Sequence, residues 1–135
     1  MVVKIRQFLF IIHLIILCSG ENPESVILVS FDGMRHDYLE KADTPNFDSF
    51  IKKGVKAKSL IPVFPSYTFP NHYSIATGTY PGYHMITGNT FYDREFEMEY
   101  SLYDRSTVED SRFYKGEPIW VTAEKQGKKT ASFFW

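Results

Sequence analysis

The apolar positions of the chain fall into runs and stripes separated by breaks marked with glycine and proline. Val26-Ile27-Leu28-Val29-Ser30-Phe31 is a near-continuous apolar run that ends at Asp32-Gly33. Such a run is the pattern of a strand buried on both faces of a parallel sheet. Phe47, Phe50 and Ile51 then stand at i, i+3 and i+4, between Thr44-Pro45 and Gly54. That spacing predicts a helix with one apolar face, Thr44 as cap, Pro45 at the first helical position and Gly54 as stop. Val55 to Ile61 reads as a second strand, and Pro62 and Pro65 bracket a loop. Pro70 opens a helix that runs to about Thr77 and stops at Gly78. Tyr80-Pro81-Gly82 is a turn. Residues 83–117 are rich in aromatics, acids and turn formers, with a short strand around Met98 to Leu102. Pro118 opens a further helix ended by Gly127, and Thr130 to Trp135 reads as a third core strand. Strands alternating with helices imply an α/β fold with a mainly parallel sheet. The sequence contains no internal repeat and no low-complexity tract.

The first twenty residues have a different character. Lys4 and Arg6 precede the apolar run Phe8 to Leu17, and Cys18-Ser19-Gly20 follow it. A basic start, a short apolar stretch and small residues describe a secretory signal peptide over residues 1–20, cleaved before Glu21. The expected location is secreted, extracellular or periplasmic. An uncleaved N-terminal membrane anchor stays open beside it, although the stretch is short for a span and holds His13. Cys18 also admits lipid anchoring, with bulky Leu17 where a small residue is expected. Contact with a membrane follows only if this segment stays attached.

Composition narrows the picture further. Cys18 is the only cysteine, so after cleavage the chain must rely on its core rather than on disulfides. The formal net charge is −1, and no basic patch suited to nucleic acid occurs. No Asn-X-Ser/Thr sequon is present. Residues 21–135 suffice for one small domain. They end in the apolar run Thr130-Ala131-Ser132-Phe133-Phe134-Trp135, whereas chain ends are usually polar and frayed. The expectation is that residues 21–135 are the N-terminal portion of a larger domain.

Asp32 and Thr68 carry the candidate chemistry. A hydroxyl is a poor nucleophile at neutral pH and needs a base, a metal or a positive field. Thr68 precedes Pro70 and so lies at a helix N-terminus, where partial positive charge and N–H groups suit phosphate. Asp32 offers a hard oxygen ligand at the tip of a predicted strand. Ligands in such folds gather outside the carboxyl ends of strands, so the two residues can share one rim. Together they read as part of a metal-activated phosphoryl-transfer site. Each also has a plain reading: Asp32-Gly33 as a turn and Thr68 as an N-cap. Asn89 after Gly88 is either a turn residue or an amide donor to a transition-state oxygen. Phe69 is either core or a platform for a base. His72 reads as a structural hydrogen-bonder, and His36 and His84 lie in loops without ligand spacing to Asp32.

Three segments bear a resemblance. Val29-Ser30-Phe31-Asp32-Gly33-Met34-Arg35, Thr68-Phe69-Pro70-Asn71-His72-Tyr73-Ser74-Ile75-Ala76-Thr77-Gly78 and Gly116-Glu117-Pro118-Ile119-Trp120-Val121-Thr122 resemble the nucleotide pyrophosphatase/phosphodiesterase family of the alkaline-phosphatase superfamily. The resemblance runs from about Ser25 to Trp135, and its Thr-Phe-Pro-Asn-His-Tyr motif is specific. It implies part of an alkaline-phosphatase-like fold, a pair of zinc ions, and hydrolysis of nucleotide pyrophosphates or phosphodiesters. By the same resemblance Asp32 is a zinc ligand, and Thr68 is the nucleophile and binds that zinc. Asn89 holds a phosphate oxygen, Phe69 stacks on the substrate's base, and Leu102 and Trp135 line the pocket. Tyr67 stands where several members carry lysine, which leaves the choice among nucleotides open. The family's remaining zinc ligands fall beyond the position of Trp135. A phosphomonoester or lysophospholipid-type substrate, and a catalytically inert truncated product, are the alternatives.

Overall fold

Aromatic residues crowd the stretch from Phe69 to Tyr114, and the fold condenses there. The computed structural model describes residues 25–133 and Trp135; the predicted signal peptide lies outside the described residues. Ile86, Tyr100 and Phe113 are buried, and Phe69, Tyr73, Phe91, Phe96, Met98, Val108 and Tyr114 pack against them. The Phe91 ring stacks on Tyr100 at 4.7 Å, and Phe113 meets Tyr100 edge-on at 5.3 Å. Ring pairs in these arrangements contribute beyond the area they bury. The Tyr114 hydroxyl donates to the Val108 carbonyl at 2.9 Å, so the Tyr100 hydroxyl donates to Tyr114 at 2.7 Å. Burial, and then this bond, push the Tyr100 phenol far above the ordinary tyrosine range.

Helix α1 is Pro45–Lys53, with Pro45 in its first turn and the Gly54 N–H closing on Phe50 O at 2.9 Å. Thr44 occupies the cap position, but its hydroxyl makes no capping bond. Helix α2, Thr68–Thr77, begins before Pro70. Proline is tolerated there because first-turn N–H groups have no partner within the helix. Gly78 ends α2 in the left-handed region at φ 66, its N–H on Ser74 O, a conformation that penalises any Cβ. Helix α3 is the short Pro81–His84. Strand β1, Thr90–Asp93, pairs antiparallel with β2, Met98–Ser101, so that Phe91 faces Tyr100. Asp93 Oδ1 accepts the N–H groups of Glu95 and Phe96 and closes the turn between them. Helices α4, Arg105–Val108, and α5, Ile119–Lys125, follow, and short 3₁₀ helices lie at Tyr38–Glu40 and Ser111–Phe113. Asp104 caps α4 from the Ser106 N–H, and Pro118 holds the position before α5.

Helix and strand are therefore mixed, but the expected mainly parallel sheet is not found among the described residues. The sheet they form has two strands and is antiparallel. Residues 26–31, 55–61 and the described part of 130–135 carry no strand. Their apolar side chains are largely in solvent: Val26 is 91% exposed and Val55 fully exposed. A strand is fixed by its neighbours' hydrogen bonds and side chains, and these runs have no ladder partner among the described residues. Two smaller expectations also change. His84 sits in α3, fully buried, rather than in a loop, and Phe50 on the apolar stripe of α1 is exposed.

Candidate functional site

The site is built on the first turn of α2. Tyr67 takes the cap position in an extended conformation, which leaves Thr68 as the first helical residue. Thr68 Oγ1 makes no cap; it approaches Asp32 Oδ2 at 3.5 Å, the long limit of a hydrogen bond. Asp32 is exposed and stands on the segment after the first apolar run. Phe31 behind it packs edge-on against Phe47 of α1 at 5.6 Å. Gly33 then takes φ 66, the left-handed turn a glycine accepts without strain.

The loop that delivers the chain to Thr68 is tied down by Asn71. Its Oδ1 accepts from Val63 N–H at 2.8 Å, and its Nδ2 donates to Tyr67 O at 2.8 Å and Pro65 O at 3.3 Å. His72 lies one turn after Thr68, and side chains on a helix lean towards its N-terminus. Its Nδ1 reaches Thr68 O at 2.8 Å and its Nε2 reaches Ser30 Oγ at 2.9 Å. This agrees with the structural hydrogen-bonding read from the sequence. The partner, Ser30, carried no signal of its own in an apolar run.

Asn89 comes to the same turn from the hairpin side. Its Oδ1 accepts from Phe69 N–H at 3.0 Å, and its backbone O accepts from Leu102 N–H at 2.9 Å. The amide oxygen is thus engaged, which leaves the NH2 end as the side chain's donor. The Phe69 N–H is engaged in the same bond. An oxyanion at this turn would meet the Asn89 amide and the helix dipole rather than that N–H. Phe69 is half-buried, its ring edge-on to Tyr100 at 6.4 Å, so it forms the rim of the core and one wall beside Thr68. Trp135 lies edge-on to His72 at 5.6 Å and beside Trp120 at 6.3 Å.

Asp32, Thr68, Phe69, Asn89 and Leu102 are therefore joined by successive contacts, and Trp135 reaches the same turn through His72. Among the described residues no three His, Cys, Asp or Glu side chains converge as a metal site. Asp32 and Thr68 fit a divalent cation as two converging oxygen donors, which is part of a set and not a whole one.

His84 belongs to the support of the site. Its Nδ1 accepts from Ile86 N–H at 3.2 Å, so its Nε2 carries the proton and donates to Ser74 Oγ of α2 at 2.9 Å. Tyr73 covers the ring edge-on at 5.0 Å. Burial holds the imidazole below its ordinary pKa.

Known proteins resemble this chain in sequence. The family "Type I phosphodiesterase / nucleotide pyrophosphatase" matches residues 26–135. Ectonucleotide pyrophosphatase/phosphodiesterase family member 1 of Homo sapiens is 42% identical over 119 residues, 87% of this chain and 13% of its own length. A bis(5'-adenosyl)-triphosphatase of Xenopus laevis is 37% identical over 131 residues, 93% of this chain and 28% of its own. Venom phosphodiesterase 1 of Crotalus adamanteus is 42% identical over 119 residues, 87% of this chain and 14% of its own. The chain thus spans well under a third of the length of these relatives. Since the family match takes in residues 26–135, most of the chain, the chain belongs to the type I phosphodiesterase/nucleotide pyrophosphatase family.

Proposed function

We propose that residues 21–135 are the nucleophile-bearing portion of a secreted, zinc-dependent hydrolase that cleaves nucleotide pyrophosphate or phosphodiester bonds through Thr68. The observation that carries this reading is the approach of Thr68 Oγ1 to Asp32 Oδ2 at 3.5 Å, on the first turn of a helix. The reaction class comes from family membership and from relatives named as pyrophosphatases, phosphodiesterases and a dinucleoside triphosphatase.

Asp32 and Thr68 would hold one zinc ion, together with ligands from elsewhere in the complete protein, since a catalytic zinc takes about three protein ligands. Zinc, when bound, supplies a Lewis acid that lowers the pKa of a coordinated hydroxyl and offsets phosphate charge. Thr68 Oγ attacks phosphorus in line with the leaving group. The Oγ–P bond forms, the P–O bond to the leaving group breaks, and the hydroxyl proton passes to solvent at the exposed rim. Water then cleaves the phosphothreonine and restores the hydroxyl. The Asn89 NH2 donates to an equatorial oxygen as charge builds there, and the α2 dipole adds to the same field. Phe69 offers its outer face to the base, with Leu102 and Trp135 beside the turn.

Thr68→Ala and Thr68→Ser test the reading in the complete protein on a chromogenic nucleotide diester. Thr68→Ala is expected to lose at least about three orders of magnitude in turnover, the scale of losing one member of a catalytic unit. Thr68→Ser keeps a hydroxyl and should retain part of it. Full turnover by Thr68→Ala would overturn the mechanism.

A further inference from the structure

The direct approach between Thr68 and Asp32 is long, 3.5 Å, and both groups face solvent or half face it. A contact of that kind does not hold two pieces of chain at a fixed spacing. Two shorter bonds join the same segments, one half-buried at Thr68 and one exposed at Ser30. His72 Nδ1 stands 2.8 Å from the carbonyl oxygen of Thr68 itself. A carbonyl only accepts, so Nδ1 carries the proton in this bond. His72 Nε2 stands 2.9 Å from Ser30 Oγ, and Ser30 precedes Asp32 by two positions. With Nδ1 as the donor to Thr68 O, Nε2 is placed to accept a hydrogen bond from the Ser30 hydroxyl. One rigid ring thereby links the backbone of Thr68 to the segment of Asp32. Trp135 packs edge-on against that ring at 5.6 Å.

We infer that His72, acting with Ser30, is a positioning residue: the Ser30–His72–Thr68 strut sets the separation of the Thr68 hydroxyl from the Asp32 carboxylate. The inference rests on the reading of Thr68 as nucleophile and Asp32 as ligand. Reacting groups must be held close to their productive geometry, and a displacement of about 1 Å can cost on the order of a hundredfold in rate. A strut serves this purpose without touching substrate. It should therefore act on kcat and leave KM nearly unchanged.

The test compares Thr68→Ala, Ser30→Ala, His72→Asn and the Ser30→Ala/His72→Asn double variant in the complete protein. Asn keeps a donor near the Nδ1 position for Thr68 O but does not reach Ser30. Ser30→Ala and His72→Asn are each expected to lower kcat about tenfold to a hundredfold, with KM within about twofold and thermal midpoints close to the parent. The double variant should be no worse than the poorer single one, because both break the same link. In the parent, two-bond proton–nitrogen correlations should show His72 protonated at Nδ1, and Ser30→Ala should shift the Nε2 resonance. Unchanged kcat in Ser30→Ala and His72→Asn, with Thr68→Ala inactive, would overturn the strut alone. So would losses that track only a fall in folded fraction, or two losses that multiply in the double variant. Full turnover by Thr68→Ala would overturn the nucleophile reading and the positioning role with it.

Discussion

Phe69 is the residue whose two sequence readings the structure partly reconciles. It packs against the core through Tyr100 and is still half-exposed beside Thr68. If its outer face stacks on a base, Phe69→Ala should weaken nucleotide binding by roughly 1–3 kcal/mol and hardly affect a small diester without a base. Equal losses on both, read from KM for the two substrates, would assign Phe69 to the core alone. That Asp32 and Thr68 come together was legible because each adjoins a recognisable local pattern: an apolar run before Asp32, and a proline-marked helix start after Thr68. Ser30 was not legible. Its importance comes from the ring that reaches it across the fold, and a serine in an apolar run announces nothing of the kind.

The proline-marked helices came out close to expectation, the turn expected at Tyr80-Pro81-Gly82 opens α3, and the apolar runs expected as strands formed none among the described residues. Helices α1, α2 and α5 lie where Pro45, Pro70 and Pro118 point, because proline constrains the chain locally. Strand β1 went unseen because its register is set by β2, with Phe91 opposite Tyr100. The α2–α3 pair carries a titratable joint in His84. Folding holds its imidazole neutral, its pKa lowered from 6.5 chiefly by burial. The unfolded chain takes up a proton first as pH falls. The joint's stability is therefore intact above pH 6.5 and is lost as pH drops through that value towards the lower folded pKa. Asp37 and Glu117, held below 3.8 and 4.5 chiefly by hydrogen bonds from Lys41 and Lys125, lose their contributions only in stronger acid. The melting midpoint should thus fall between about pH 7 and pH 5, and His84→Gln should flatten that fall. A parent midpoint constant over this range would refute the assignment.

At the scale of the whole molecule the described residues divide unevenly. The stretch from Phe69 to Tyr114 holds the packed core, while residues 25–31 and 55–61 present apolar side chains to water. Exposed apolar surface on this scale marks an interface or an aggregation liability. Residues 21–135 alone are therefore expected to bind a hydrophobic dye and to associate. With Asp32 and Thr68 as the converging donors, they are also expected to keep no zinc after dialysis and to show no diester hydrolysis. Elemental analysis and a turnover assay on that piece check this, and a zinc-loaded active monomer would contradict it. The apolar runs show why the sheet was less legible than the helices. A run records what a partner would bury, and the partner is not encoded within it. One further property follows from the exposed segment 55–61, which holds Lys56 and Lys58. Asp32 lies upstream of that segment and Thr68 downstream. A trypsin nick after Lys58 would cut the covalent path between the halves of the site and leave Ser30–His72 and Asp32–Thr68 as contacts across it. Asp32 and Thr68 would then belong to separate peptides in one complex. The rate at which those peptides part would measure, without any substrate, how firmly the site is assembled.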